Sequence, residues 1–302
     1  AVWHILTGNE VEKASWSFIV WESRLPQAIT ALLCGMALAA SGLMLQTTFN
    51  NPLADPSILG ISSGASLGVA LVMLAGAGTI TAGVFTLSGF LSVIIGAFIG
   101  SMLVMGIILF FSTLIKNSIM LLIIGIMIGY ITSSAISLLN FFSTAEGVHS
   151  YMIWGMGNFG GVSLQQLPFF SLVTATGLLI TILLIKPLNA LLLGTRYAEN
   201  LGINIRRTRN LLLVATGLLT ATTTAFCGPI GFIGLAVPHV ARILFADADH
   251  RILVPASILT GIVVMLLCDV LAKLLTFPIN TITALLGIPI VIWVVIRNKS
   301  IV

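Results

Sequence analysis

The stretch that decides the fold runs from Arg24 to Gly68 and reads RLPQAITALLCGMALAASGLMLQTTFNNPLADPSILGISSGASLG. An apolar run from Leu25 to Thr47 is followed by a polar elbow, Asn50 to Asp55, and a second apolar run begins at Ile58. Two prolines stand in and just after the elbow. Because proline lacks a backbone donor and disfavours helix in the residue before it, the pattern predicts two helices meeting at a tight corner.

Small residues recur on both arms of this predicted hairpin, at roughly helical spacing. They are Gly35, Ser41, Gly42, Gly60, Ser62, Ser63, Gly64 and Gly68. Small side chains let neighbouring helices approach closely in lipid. We therefore expect the hairpin to be buried inside a bundle of membrane helices.

The composition of the whole chain agrees with a membrane environment. Of 302 residues, 58% are apolar and only 7% are charged, and the mean hydropathy is +1.15. A soluble domain carries about 25% charged residues, so this chain has too few to cover a water-facing surface. The fold class is predicted as all-α, a polytopic transmembrane helical bundle. Its surface is expected to contact membrane lipid, and no nucleic acid is expected as a partner.

Nine apolar runs are each near the ~20 residues that cross a bilayer. The predicted spans are Leu25–Thr47, Ser57–Ala75, Val84–Leu114, Ser118–Phe142, Pro168–Ile185, Leu211–Phe226, Phe232–Phe245, Ile252–Lys273 and Thr281–Ile296. The seventh is short and follows Gly228-Pro229-Ile230-Gly231, which predicts a broken turn inside the protein. Residues 1–302 are expected to form a single transmembrane domain.

The basic residues divide unevenly between the two sets of loops. One set holds Lys116, Lys186, Arg196, Arg206, Arg207, Arg209, Arg242, Arg251, Arg297 and Lys299, whereas the other holds Lys13, Arg24 and Lys273. Lysine and arginine are enriched on the cytoplasmic side. The first set is therefore expected in the cytoplasm, the chain begins outside, and a further N-terminal span is expected to be missing from this sequence.

Ionisable and metal-binding side chains do not assemble into a recognisable catalytic or metal set. The cysteines and histidines are scattered: Cys34, Cys227 and Cys268, and His4, His149, His239 and His250. Asp269 and Lys273 are spaced i, i+4 and are expected to pair on one helix face. A proton relay through this pair is an open alternative.

Several motifs, in order along almost the whole chain, resemble one transporter family. They are Arg24-Leu25-Pro26, Asn51 to Pro56 (NPLADP) with Leu59-Gly60-Ile61, Gly228 to Leu235 (GPIGFIGL) with Pro238-His239, and Asp249-His250-Arg251. The chain resembles the FecCD-type permease subunits of binding-protein-dependent ABC importers for iron-siderophores, haem and cobalamin. The resemblance implies ten helices per subunit, of which this chain lacks the first, and a multi-pass protein of the bacterial inner membrane.

The same resemblance implies the partners. These are a second permease copy forming a homodimer, two cytoplasmic ATPase subunits and an extracytoplasmic substrate-binding protein. The sequence has no GxxxxGK[ST] phosphate loop, so no cofactor is expected on this chain, and ATP acts through the partner ATPase. The subunit is expected not to be an enzyme.

Residues 187–210 form the cytoplasmic segment where a partner would dock. Leu193, Tyr197 and Leu201 recur at i, i+4 and i+8 and predict one apolar helix face, which Gly202 ends. The resemblance implies that Leu193, Gly194, Ala198, Leu201 and Gly202 couple the permease to the ATPase, although Thr195 stands where a glutamate is common. An amphipathic helix lying on the lipid surface remains the alternative.

Two sets of residues are candidates for the pathway itself. By resemblance, Asn51 and Leu53 form a cytoplasmic gate that faces Asn117 and Ser118, although Asn50, Asn51 and Asp55 alternatively serve only as helix caps. The hydroxyl-rich fourth span is the second set, where Thr132, Ser133, Ser137 and Asn140 either line the translocation path or hold helices together.

At the outer face, the resemblance implies that Arg24 and Lys273 receive carboxylates of the binding protein. Gln27 stands where another arginine is frequent, and anchoring of helix ends is the alternative role. The predicted function is the permease subunit of an ATP-driven importer that moves a metal chelate into the cytoplasm. An ion-coupled secondary carrier is the alternative, and a membrane-embedded enzyme lacks a convergent catalytic set.

Overall fold

The computed structural model describes residues 2–6, 13–76, 79–82, 85–115 and 117–298. Three residues with predicted roles lie outside this part of the chain: Lys116 and Lys299 of the predicted cytoplasmic set, and Val84 at the predicted start of the third span. The side chains of Ser118 and Arg297 are not described either.

The described chain is a helical bundle with one small strand pair. Its α-helices are α1 Val2–Leu6, α2 Ala14–Ile19, α3 Leu25–Thr48, α4 Ile61–Ala70, α5 Phe90–Leu114, α6 Ser118–Phe142, α7 Ala145–Gly155, α8 Leu167–Leu183, α9 Ile185–Leu192, α10 Thr195–Asn200, α11 Ile205–Cys227, α12 Ile233–Phe245, α13 His250–Leu275 and α14 Ile279–Asn298. Strands β1 Thr79–Ala82 and β2 Phe85–Ser88 pair antiparallel.

Length and hydropathy qualify five described helices as membrane spans, or six if α8 and α9, which meet at 51°, form one bent span. Three shorter apolar helices accompany them: Ile61–Ala75, Ile233–Phe245 and Ile279–Val294. By these criteria alone the predicted nine spans are not reached.

The first helix begins earlier than predicted. Helix α2 runs through a π-helical turn, Val20–Arg24, into α3, so that Ser15–Thr48 is one 34-residue rod. Pro26 has no N–H to donate. It lies two residues after the end of this turn, where the backbone hydrogen-bond pattern changes from π-helical to α-helical. The proline is therefore accommodated inside the rod and does not mark its start.

The predicted third span also begins too early, because Phe85–Ser88 is a strand and α5 starts only at Phe90. The two strands are rich in threonine and other residues that favour extended backbone. By contrast, α6 has the predicted bounds, Ser118–Phe142.

The predicted close approach of helices at glycines is confirmed. A Cβ atom on Gly42 would lie 1.7 Å from the carbonyl oxygen of Gly234, and one on Gly35 would lie 2.3 Å from that of Gly261. On the second arm, a Cβ on Gly68 would lie 2.0 Å from the carbonyl oxygen of Gly96. The glycines therefore bring α3 against α12 and α13, and α4 against α5.

Candidate functional site

The elbow joins α3 to a 3-10 turn, Pro56–Leu59, through local hydrogen bonds. Asn51 Oδ1 accepts from Leu53 N at 2.9 Å, and Asp55 Oδ2 accepts from Ser57 N at 3.0 Å and from the Ser57 hydroxyl. Burial raises the pKa of the Asp55 carboxyl, and the two hydrogen bonds from Ser57 oppose this effect. The capping role is thus confirmed for Asp55, while Leu53 remains 42% exposed.

The 3-10 turn that follows the elbow meets α6 two turns inside that helix. A Cβ on Gly125 would lie 2.7 Å from the carbonyl oxygen of Ile58, and one on Gly60 would lie 2.9 Å from that of Gly125. Asn117, the other predicted gate residue with a described side chain, is exposed and caps α6 by accepting from Ile119 N at 2.9 Å.

The proline-containing helix α12 anchors the elbow from the other side. Pro238 lies inside α12, so it cannot donate to the carbonyl of Gly234, four residues earlier. Gln46 Nε2 approaches the carbonyl oxygens of Leu235 at 3.1 Å and Gly234 at 3.5 Å. Pro238 and His239 both lie within the helix α12.

Two further contacts complete this anchor. His239 Nε2 lies 2.8 Å from the carbonyl oxygen of Pro52, which requires the hydrogen to be on Nε2. Arg242 donates from Nη1 to Gln46 Oε1 at 2.7 Å. Arg242 is predicted only as a member of the basic cytoplasmic set, and Gln46 carries no prediction. The proline within an apolar helical pattern was the available signal, because it leaves a carbonyl that needs an outside donor.

The predicted path residues on α6 do not share one face. Ser133 and Ser137 are exposed, whereas Thr132 is 4% exposed and donates to the Gly129 carbonyl of its own helix. Ser137 likewise donates to Ser133 O at 3.0 Å. Asn140 is half-buried, and its Oδ1 has no partner among the described residues.

The segment 187–210 contains two short helices and not one. Leu193 ends α9, and Gly194, with φ of 100°, separates it from α10. The predicted continuous face from Leu193 to Leu201 is therefore interrupted, because Gly194 adopts a backbone conformation that a helix does not contain. Gly202 has φ of 81° and follows α10, which confirms its predicted role in ending the helix.

The apolar side chains of this segment differ sharply in burial. Leu193, Tyr197 and Leu201 are 65%, 50% and 58% exposed, whereas Ala198 is fully buried. The segment thus presents large apolar groups outward at the basic end of the bundle, where Arg206 and Arg207 begin α11.

At the opposite end, Lys273 Nζ lies 2.6 Å from Asp269 Oδ2, which confirms the predicted pair. Gln27 Nε2 donates to Asp269 Oδ1 at 2.9 Å, so the glutamine binds the same buried carboxylate. Arg24 is exposed.

Comparison with known proteins gives concordant results. The FecCD transport family model matches residues 1–297. The vitamin B12 import system permease protein BtuC of Klebsiella pneumoniae is 37% identical over 291 residues, covering 95% of this chain and 85% of that protein. BtuC of Salmonella typhimurium is 38% identical over 290 residues, covering 94% and 86%.

Two solved structures are also similar to this chain. A metal-chelate type ABC transporter in an inward-facing conformation is similar with a TM-score of 0.85 and 31% identity, covering 96% of this chain and 90% of the other. PsaBC from Streptococcus pneumoniae, solved with a Fab, has a TM-score of 0.56 and 18% identity, covering 89% of each chain, and shows similarity of fold alone.

Proposed function

The chain belongs to the FecCD transport family and is a permease subunit of an ABC importer, and we propose that its cargo is a metal chelate of the siderophore, haem or cobalamin type. The observation that carries this proposal is the similarity to the vitamin B12 permease BtuC over 95% of the chain. The complex reconstituted in vesicles should take up one of these chelates when ATP and the binding protein are supplied. If the vesicles accumulate none of the three classes of chelate, the cargo proposal is overturned. The similarities do not favour the ion-coupled carrier.

We propose that the working assembly is a homodimer with two ATPase subunits and an external binding protein, in the bacterial inner membrane. Support comes from α6, where Tyr130, Ile131, Leu138 and Phe141 are 59% to 80% exposed. In this proposal the second copy covers part of this face, and Ser133, Ser137 and Asn140 line the path, with Thr132 behind them. The mass of the purified complex tests the stoichiometry.

The proposed topology has nine spans, because three shorter apolar helices add to five long helices and one bent pair. Gln27, Asp269 and Lys273 lie together at one end of the bundle, and Gln46 and Arg242 at the other. The second end is cytoplasmic by the positive-inside rule. Cysteines introduced at residues 196 and 13 should react with an impermeant reagent from opposite sides.

We propose that residues 187–210 couple the permease to the ATPase through Leu193, Gly194, Ala198, Leu201 and Gly202. The exposed Leu201 side chain supports a docking role, because large exposed apolar groups mark interaction sites. Leu201→Asp and Gly202→Pro should abolish ATP-dependent uptake while the dimer stays folded. Glu199→Gln, an exposed change on the same helix, is the control. Full transport with α10 disrupted would exclude the coupling role.

We propose that Asn51 and Leu53 form the cytoplasmic gate, together with Asn117 and Ser118. Gates are two-state elements, so cysteines at Asn51 or Leu53 should cross-link between the two copies in one nucleotide state and separate in another. Cross-linking that is equal in all nucleotide states would leave the elbow with its capping role alone.

We propose that Arg24 and Lys273 receive the binding protein. Rim charges act mainly on association rate and its salt dependence. Arg24→Glu should slow association and flatten its salt dependence without changing basal ATPase activity. Lys273→Glu should do the same, but it also sets a second carboxylate beside Asp269, so Arg24→Glu is the cleaner variant. An unchanged rate for both would require another docking surface.

A further inference from the structure

A chain of hydrogen bonds connects the segment 187–210 with the end of α3. Asn189, in α9, donates from Nδ2 to Asp249 Oδ1 at 2.6 Å. Its Oδ1 lies 2.8 Å from both the backbone nitrogen and the Nδ1 atom of His250. On the other side of the ring, His250 Nε2 lies 2.8 Å from Thr47 Oγ1, three residues before the elbow.

The chemistry of these groups fixes their orientation. The Asn189 oxygen can only accept, so His250 Nδ1 carries a hydrogen, and the Asn189 amide is free to donate to the Asp249 carboxylate. His250 is fully buried and Thr47 is 6% exposed. Buried polar groups that lose their partners are costly, so the three side chains hold one another in a single arrangement.

The link continues into the elbow on a second route. Gln46, next to Thr47, binds α12, and His239 of α12 contacts the Pro52 carbonyl. Gly42 and Gly234 bring the backbones of α3 and α12 together one helical turn from Gln46. The end of α3, α12 and the elbow therefore form one packed unit, and His250 connects that unit to α9.

We propose that Asn189, His250 and Thr47 are positioning residues that transmit displacement of the segment 187–210 to the elbow. This inference rests on the proposed function, since it takes the coupling role of that segment and the gating role of the elbow as given. Helices α9 and α10 are separated only by the Leu193–Gly194 turn. A force applied at α10 thus reaches Asn189 within two turns of chain and reaches the elbow without crossing solvent.

The end of α3 provides a matched pair of threonines for the test. The hydroxyls of Thr47 and its neighbour Thr48 both bond the carbonyl four residues earlier in α3, that of Leu43 at 3.0 Å and that of Met44 at 2.7 Å. Among the described contacts, only Thr47 also reaches His250. Thr47→Val keeps the shape of the side chain and removes the hydroxyl. Thr48→Val makes the same chemical change at a place outside the link, and Thr47→Ser restores the hydroxyl.

The experiment uses the complete importer in lipid, with the elbow cysteine Leu53→Cys as reporter. The ratio of cross-linking in the nucleotide-free and the ATP–vanadate states measures the response of the elbow. One hydrogen bond is worth a factor of about 2 to 12, so this ratio should move towards one by that factor in Thr47→Val and in Asn189→Leu. It should be unchanged in Thr48→Val and recovered in Thr47→Ser, with ATP hydrolysis retained in all.

The outcomes distinguish failure of the hydrogen-bonded link from failure of the gating role of the elbow. In the first outcome, the cross-linking of the parent protein responds to nucleotide, and Thr47→Val and Asn189→Leu respond equally. This result would overturn the link but not the gating role of the elbow. A parent protein that ignores nucleotide would overturn the gating role and the link with it. Loss of response in Thr48→Val as large as in Thr47→Val would also overturn the link, because the effect would then be general to the helix end.

Discussion

The rod formed by α2 and α3 and the helix α6 have similar hydropathy, 2.0 and 2.2, but opposite surroundings. In the most apolar window of the rod 78% of residues are buried in the protein, against 22% in α6. The difference follows the size of the side chains. The rod carries glycine at positions 35 and 42, where α13 and α12 make backbone contact, whereas α6 carries isoleucine, methionine, tyrosine and phenylalanine on its open face.

This contrast teaches that small residues, more than hydropathy, mark the helix at the centre of a membrane bundle. An apolar side chain is similarly stable in lipid and in the protein interior, so hydropathy cannot distinguish a buried helix from a lipid-facing one. A glycine improves packing only where another backbone approaches it. The predictions below test this distinction, beginning with the largest effect.

The strongest test is Gly42→Ala in the buried rod. The new Cβ would lie 1.7 Å from the Gly234 carbonyl oxygen, so the backbones of α3 and α12 must separate. We expect a loss of stability above the ~1–3 kcal/mol of ordinary overpacking, seen as failure to purify the complex or a large fall in melting temperature. Gly106→Ala in α5 is the control, since its added Cβ would meet no described atom within 4 Å apart from its own turns of helix. Equal behaviour of the two variants would contradict the packing argument.

The second test compares two leucines within α6. Leu121 is fully buried and Leu138 is 59% exposed. Leu121→Ala should cost about 2 kcal/mol through the cavity it leaves, whereas Leu138→Ala should change the stability of the subunit by less than about 0.5 kcal/mol. Thermal unfolding in detergent measures both. A similar loss at Leu138 would mean that the open face of α6 is packed in the isolated subunit.

The third test concerns the pair near the C-terminal end of α13. Lys273→Met leaves the buried Asp269 carboxylate with Gln27 as its remaining described side-chain partner. The lysine side chain is 32% exposed, so we expect a discounted loss of about 1–2 kcal/mol. The double variant Asp269→Leu, Lys273→Met should recover most of it. A double variant as unstable as the sum of its singles would show that the two residues act independently.

The smallest effect is expected from Asp249, which caps α13. Hydrogen bonds from the Arg251 backbone and then from the Asn189 side chain hold the pKa of its carboxyl below the usual value. A lowered folded-state pKa stabilises the protein above the unfolded-state pKa of about 4, and the gain is lost as pH falls through the lower folded value. The melting-temperature difference between wild type and Asp249→Ala should thus be constant from pH 7 to 5 and shrink below pH 4. Asp249→Asn keeps an acceptor oxygen but no longer titrates, so the melting-temperature difference between Asp249→Asn and Asp249→Ala should show no such pH dependence.

The sequence predicts well those features whose causes are local. The bounds of α6 follow from a capping asparagine and a run without proline or charged residues, and Gly202 ends α10 because glycine adopts positive φ readily. Asp269 and Lys273 pair because they are four residues apart on one helix. Each of these predictions needs only neighbouring residues.

Features that depend on distant contacts, and two local departures from regular helix geometry, were missed or wrongly bounded. Gln46 and Arg242 are 196 residues apart, and nothing in either local pattern says that their helices are neighbours. The split of the segment 187–210 at Gly194 was missed because leucine and tyrosine at i, i+4 and i+8 match a continuous helix. The π-helical turn before Pro26 was missed because the predicted apolar run begins only at Leu25.

The length of the rod Ser15–Thr48 has a consequence for depth in the bilayer. At 1.5 Å per residue its 34 residues measure about 51 Å, whereas the hydrocarbon layer is about 30 Å thick. Even at a 40° tilt, about 26 residues suffice to cross, which leaves about eight residues in the headgroup layer. Trp16 and Trp21, 37% and 39% exposed, lie near the N-terminal end of the rod, and tryptophan favours the interface. The N-terminal turns of the rod thus act as a depth marker, and a thicker membrane would draw these turns into its hydrocarbon layer before it disturbed the elbow.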